Sequence, residues 1–448
     1  MTTDSTARDA RDAMPGPPAE SPSAVPDAGL VIPTPAWARA RRSLRLPAFW
    51  LLIVLLAVGG WQIGGLLRQE AAGYPLAAGL AAVLFVLYAV PFVAVVRSLD
   101  YFEREPPLLL VAALGWGALT ATAVAVRGDS AVHDLLAKLV SPSFAASWGP
   151  AVAGPTVEEL AKTLGVVVIV LVARAQINSV IDGVVYGACV GLGFQVVEDI
   201  GYALNAVALA GHGDSVKPVI GTFLLRGFLG GLWSHTLFSA LAGSGIAYAA
   251  LHHDRPSWKR WGAAIGALAG AWLFHFCWNS PLLADGFGYG GAGVLAALLI
   301  KGIPALLLVT LLVRRASRRE AGYYLDHLAG DERVVTVREL AALGSGRTRA
   351  AARRYARGEG GRAGRRAVRR LQRAQALLAL ELSRGGRRAG RYRAAALAQR
   401  QVLESLGHPD AYAPDGASAA DWSWLVGCLC AAVLAVGLAL AIRALGGS

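Results

Sequence analysis

The feature that most limits how this chain can fold is its succession of apolar runs long enough to cross a bilayer. A spanning helix needs about 20 consecutive apolar residues, because hydrocarbon leaves the backbone no hydrogen-bond partners outside its own helix. On that measure the sequence predicts helices near 48–67, 76–96, 107–126, 153–173, 181–204, 228–250, 261–281, 291–313 and 423–443, about nine in all. Segment 219–250 is too long for one perpendicular helix, so Arg226 is read as its outer interface, with 219–225 in the headgroups or re-entering. Hydrophobic residues make up 55% of the chain and charged residues only 16%, which agrees with an all-α polytopic membrane protein.

Composition divides the chain further. Residues 1–45 are rich in Pro, Ala, Ser and Asp without apolar periodicity and read as a disordered tail. The first apolar run begins near Ala48 without a small-residue cleavage pattern, so it reads as a retained signal anchor. Residues 46–313 form the membrane core of eight helices, 314–420 a basic helical segment, and 421–448 a last spanning helix. Residues 314–415 hold 23 arginines against 10 acids, equal to the whole formal net charge of +13, so the membrane body is close to neutral. Helical patterns at 368–382 and 392–406, separated by 383–386, predict a basic hairpin. The other basic clusters, Arg41/Arg42/Arg45, Arg97/Arg104, Arg174 and Arg255/Lys259/Arg260, all fall on the side of that hairpin. The positive-inside rule then makes this a multi-pass protein of the cell membrane, with a cytoplasmic amino terminus, a cytoplasmic basic segment and an external carboxyl terminus. Loops 128–150, 205–218 and 282–290 are expected outside. The basic segment suits anionic lipid headgroups better than nucleic acid, since no groove-reading motif is present. Cys189, Cys277, Cys428 and Cys430 lie in apolar runs and read as small hydrophobes.

Against that background Glu158, Glu159 and Lys162 are costly. Each ionised side chain at bilayer depth costs roughly 2.5–3.5 kcal/mol, so these need a partner, a water-filled cavity or a metal. At 1.5 Å of rise per residue, the glutamates lie roughly 8 Å below the outer boundary. The same count puts Glu198 roughly 25 Å and His275 roughly 21 Å from the inner boundary, and His235 roughly 10 Å below the outer one. Four helices therefore bring Glu and His into one outward layer. Imidazoles and carboxylates are zinc's nitrogen and oxygen ligands, and a catalytic site adds an open position and a carboxylate to take a proton from water. Lys162, one turn from Glu158, can pair with it. Asn279, one turn from His275, can hold that ring or donate to a developing oxyanion. The plainer readings are an interhelical hydrogen bond for each histidine and an ion pathway for the carboxylates. Asp182, at a helix start, reads as a cap or an interface residue and Lys301 as snorkelling to the outer boundary, while Asp199 stays open, support of the layer from behind being one reading.

Taken in order, Glu158-Glu159-x-x-Lys162, Phe194-x-x-x-Glu198 with Tyr202, Arg226 leading to His235 and Gly243, and His275-x-x-Trp278-Asn279 resemble the motif set of PrsW-type intramembrane metalloproteases. That family is itself similar to the CAAX-processing and bacteriocin-processing membrane proteases. The resemblance covers about residues 76–313. It implies a catalytic glutamate in the Glu158/Glu159 pair, a metal held by the downstream motifs, and cleavage of single-pass membrane substrates such as anti-sigma factors on the external side. Together the residues and the resemblance assign zinc to Glu198, His235 and His275, and the general base to Glu158 or Glu159. Asp199 stands where the family commonly has Asn.

Other chemistries leave weaker traces. No His-Glu-x-x-His occurs. Gly211-His212-Gly213-Asp214 matches a Gly-x-Gly-Asp aspartyl-protease motif, but lies in an expected loop without a Tyr-Asp partner. Gly243-Ser244-Gly245 resembles a rhomboid serine site but suits close helix packing better. A proton- or ion-coupled transporter would use the same Glu/His/Lys layer, yet no repeat of broken helices appears. A membrane scaffold that recruits a partner through its basic segment is the remaining alternative.

Overall fold

The computed structural model describes residues 44–414, apart from 232–233, 387 and 409. The expected amino-terminal tail and the helix expected at 423–443 lie outside the described residues.

Among the described residues the fold is all-helical. Helices α1 (Pro47–Gly73) and α2 (Pro75–Leu99) form a first hairpin, each opening on a proline, which suits a first turn that needs no N–H. Helix α3 (Pro107–Leu139) passes through a π-helical stretch at Trp116–Ala121. The chain continues through α4 (Pro142–Val172), α5 (Val180–Ala210), the short α6 (Lys217–Thr222), α7 (His235–Leu251), α8 (Ser257–Asn279) and α9 (Gly290–Asp326). Among the described residues six helices, α1, α2, α3, α5, α8 and α9, are long and apolar enough to cross a membrane. Helix α4 carries Glu158, Glu159 and Lys162 over its 31 residues, and α7 has 17 residues.

Residues 128–150, expected as an external loop, are instead helical except for the break at 140–141. Helix α3 runs on to Leu139, and α4 begins at Pro142 behind Ser141, whose hydroxyl accepts the Phe144 N–H. Pro150 and Pro155 lie inside α4 without ending it. Their prolines, glycines and short alanines masked a helix that packing against α3 sustains. The consequence is that Glu158 sits roughly 24 Å along α4 from its first residue, near mid-helix rather than near an end.

The strongest packing within the bundle is between α5 and α7, and it depends on small residues. A Cβ added at Gly187 would come within 2.1 Å of the Ser239 carbonyl oxygen, and one at Gly191 within 2.1 Å of the His235 carbonyl oxygen. Backbone therefore meets backbone along this seam. Gly243 packs on Gly183, and the Ser244 hydroxyl donates to the Leu241 carbonyl, so Gly243-Ser244-Gly245 is a packing element. Asp214 accepts the N–H groups of Leu76 and Ala77 at 2.7 and 2.9 Å, so the Gly-x-Gly-Asp match caps α2. Asp182 closes a capping box with Ser179 at the start of α5, as read. The Lys301 ammonium donates to the Ser280 carbonyl at 2.8 Å and closes the end of α8 that leads into the loop expected outside.

After α9, helices α10 (Val337–Leu343), α11 (Gly346–Ser383) and α12 (Ala389–Ser405) build the basic segment. Helix α11 bends at Gly360 and Gly361, the latter at φ 62. Leu343, Val368, Leu371, Leu378 and Leu403 form its buried core. The 100–106 loop between α2 and α3 inserts Phe102 into that core, where it stacks on Tyr324 at 5.3 Å. The Arg349 guanidinium lies 3.6 Å over Tyr101, and Arg373 donates to the Tyr101 carbonyl. At the other side of the loop, Tyr186 of α5 donates to Glu105, whose second oxygen is buried without a partner.

Burial pushes the Glu105 carboxyl up to about 9, helped by the nearby Asp182 charge. A carboxyl whose folded pKa is raised stabilises the fold fully below its ordinary range, and that contribution is lost as pH rises towards about 9. The protein in detergent is therefore expected to melt at a higher temperature at pH 6 than at pH 9. Glu105→Gln should flatten the difference, and an unchanged slope in the variant would remove Glu105 as its cause.

Candidate active site

Helices α4, α5, α7 and α8 each contribute to one buried polar cluster. Counting rise from the ends nearest the basic segment, Glu158, Glu159, Glu198, His235 and His275 all lie roughly 20–27 Å in, which reproduces the single layer expected from sequence. One ligand atom from each of Glu158, Glu159, His235 and His275 falls within 4.8 Å of all the others, and all four residues are buried.

Lys162 ties the cluster together. Its ammonium lies 2.6 Å from Glu159 Oε1, 3.3 Å from Glu158 Oε2 and 2.9 Å from His235 Nδ1, and 4.4 Å over the Phe194 ring. An ammonium can only donate, so His235 Nδ1 accepts and its proton resides on Nε2. That Nε2–H donates to Glu198 Oε2 at 2.9 Å. Glu198 is held in turn by Arg226, which donates through Nη2 to Glu198 at 2.8 Å and through Nε to Asp199 at 2.5 Å, with its guanidinium 3.8 Å over Tyr202. Arg226 lies in the π-helical turn Phe223–Gly230 and reaches inward to these carboxylates instead of marking an interface.

His275 is fixed by the same logic. Its Nδ1–H donates to Glu159 Oε1 at 2.9 Å, and its Nε2 accepts from Asn279 Nδ2 at 3.1 Å. Asn279 also donates to the Pro150 carbonyl at 3.1 Å. Phe238 stacks on the His275 ring at 5.2 Å, and the two imidazoles meet edge-on at 4.9 Å.

A cavity of about 610 Å³ opens onto this cluster. Glu158, Glu198, His235 and Asn279 line it; Glu159 and Lys162 do not. The two neighbouring glutamates are thus inequivalent, since Glu158 faces the cavity and Glu159 lies behind it, fully buried. Asp129 of α3 also lines the cavity, with one buried oxygen lacking a partner, and sequence reasoning missed it. The signal was a lone acid following an apolar run, but it fell in a segment taken for an external loop.

The donor set fits a divalent cation. Among the described residues four carboxyl groups, Glu158, Glu159, Glu198 and Asp199, share two cationic side chains, Lys162 and Arg226, so the cluster holds more potential anionic ligands than cations to match them. Glu159 Oε2 is moreover buried with no hydrogen-bond partner. Two neutral imidazoles and a carboxylate are a nitrogen and oxygen set of the kind zinc takes.

Residues 105–311 match the model of PrsW family intramembrane metalloproteases. No curated protein and no solved structure matches the chain.

The seam that positions His235 gives a direct test. Gly191→Ala should destabilise the protein by about 1–3 kcal/mol through overpacking against the His235 carbonyl. Gly201→Ala on the same helix, where a Cβ meets nothing within 4 Å, should be neutral or mildly stabilising. Denaturant unfolding of both in one detergent separates them, and equal effects would remove the seam from the account.

Proposed function

We propose that this chain, whose residues 105–311 are a PrsW family intramembrane metalloprotease core, uses zinc at His235 and His275 to hydrolyse a peptide bond of a membrane-bound substrate near the outer leaflet. It is a peptide-bond hydrolase by that membership. The observation that carries the residue assignment is the division between the cavity-facing Glu158 and the buried Glu159. A bound divalent ion supplies Lewis acidity to the scissile carbonyl and to water.

The protein's own groups supply the rest. Glu158 faces the cavity and takes the proton of the attacking water, later returning it to the leaving amide nitrogen. Asn279 lines the cavity; the N–H it directs at His275 Nε2 would turn to the developing oxyanion once that nitrogen is a metal ligand, while its other N–H stays on the Pro150 carbonyl. Lys162 pairs with both glutamates, at 3.3 Å from Glu158 and 2.6 Å from Glu159, and holds them on one side of the cluster. For the third metal ligand, the unpartnered Glu159 oxygen favours Glu159, with Glu198 orienting His235 through Nε2 in a carboxylate–histidine arrangement. Glu198 as a direct ligand, the reading from sequence, is the second assignment, favoured by its 2.9 Å approach to His235.

The same reading places the protein in the cell membrane with its amino terminus and basic segment cytoplasmic and its carboxyl terminus external. About nine spans result when the helix expected at 423–443 is counted. A single-pass membrane protein, such as an anti-sigma factor, is the proposed substrate.

Metal content and cleavage together test these roles. His235→Ala and His275→Ala should lose stoichiometric zinc, whereas Glu158→Gln should keep it and lose at least about 100-fold in cleavage. Glu159→Gln should lose zinc outright, against a 10–100-fold weakening for Glu198→Gln if that residue only supports the ligand, so the reverse order would hand the third position to Glu198. Membrane proteomics of cells carrying wild type or Glu158→Gln supplies the substrate for the cleavage measurement. A Glu158→Gln protein that cuts at the wild-type rate would falsify the base assignment.

A further inference from the structure

A second cavity, of about 560 Å³, lies at the end of the bundle that carries the basic segment, where α7, α8 and α9 diverge. Its two ends differ in chemistry. Leu241, Ala263, Ala267 and Leu312 form an apolar wall on the side of the membrane core, and Arg315, Arg319, Tyr248 and His252 line the outer part. Positions 312, 315, 316 and 319 follow helical spacing, so the apolar and cationic groups continue along one face of α9.

The two arginines are free. Both are exposed, and among the described residues neither has a carboxylate within ion-pair distance. That contrasts with Arg226, Arg384, Arg393 and Arg400, each of which is paired. The carboxylate in the wall, Glu320, is buried at 8% exposure and pairs with neither. Trp258 and Trp261, at the start of α8, are 72% and 57% exposed on the outer surface, the placement of side chains at a headgroup boundary. Ala263 and Ala267 lie further along the same helix, so the cavity passes from headgroup level into the hydrocarbon.

We propose that this cavity binds an anionic glycerophospholipid of the leaflet that faces the basic segment. Its phosphate lies between Arg315 and Arg319, and an acyl chain follows Leu241, Ala267 and Leu312. A soluble phosphate ester would use the cationic mouth and leave the apolar wall unused; a zwitterionic lipid would fill the wall and leave two guanidiniums unmatched. The site is separate from the Glu/His cluster and does not rest on the protease reading.

Full-length protein in detergent, loaded with dioleoyl phosphatidylglycerol or dioleoyl phosphatidylcholine, tests this by native mass spectrometry of the retained lipid. Wild type should retain phosphatidylglycerol preferentially. Each arginine near the surface contributes about fivefold, so Arg315→Gln/Arg319→Gln should lower that retention by more than about tenfold. Both side chains are exposed, and an unchanged melting temperature verifies the fold. Arg362→Gln/Arg365→Gln, which removes the same charge from exposed positions of α11, should leave retention unchanged. Equal retention of the two lipids by wild type, or equal loss in the α11 variant, would overturn the site in favour of general polybasic attraction. Displacement by glycerol phosphate at the concentration at which the lipid binds would overturn the lipid assignment in favour of a phosphate site.

Discussion

Burying Glu158, Glu159 and Lys162 on one helix sets a condition that the rest of the membrane core has to meet. Leaving one such charge without its partner costs about 3–5 kcal/mol, a large part of a protein's whole stability. Here α5 supplies Glu198, α7 supplies His235, and α8 supplies His275 and Asn279. Arg226 restrains Glu198 and Asp199 from the π-helical turn before α7. These groups meet because α5 and α7 approach backbone to backbone at Gly187 and Gly191. The small residues and the charges are therefore one device, since bulkier side chains on that face would separate His235 from Glu198.

Two adjacent glutamates on a helix point about 100° apart, and that angle alone gives them different work. Glu158 turns to the cavity and Glu159 to the protein behind it. Lys162 follows them by four and three positions and so can reach both. Its ammonium fixes the tautomer of His235, and Glu159 fixes that of His275 through Nδ1. A lysine and a glutamate on one helix thus decide which nitrogen of each imidazole carries its proton.

The sequence made most of this legible where its signals are strong. Uninterrupted apolar runs located α1, α2, α5, α8 and α9, and the spacing of Glu158, Glu159, Lys162, Glu198, His235, His275 and Asn279 announced a common layer. The failures have physical causes. Pro150 and Pro155 argue locally against a helix, yet the packing of α4 against α3 overrides them, so 128–150 was read as loop and Asp129 was lost with it. Arg226 has the residue type of an interface marker, and only tertiary structure reveals that two carboxylates claim it. Asp214 carries a protease-like motif whose use, capping α2, depends on a contact 138 residues distant in sequence.

Helix α5 is the element on which both halves of the structure converge. Near one end Tyr186 donates to Glu105, in the loop whose Phe102 is sealed into the core of the basic segment. Twelve residues further on, roughly 18 Å along the same helix, Glu198 receives His235 and Arg226. Between them run the glycines that hold α7 at contact distance. A helix held near its start and again past its midpoint, and packed backbone to backbone in between, has little freedom to tilt or slide without disturbing all three contacts. The position of Glu198 is therefore set jointly by the local ion pairs and by the docking of the basic segment on the 100–106 loop, although none of that segment's described arginines pairs with the cluster.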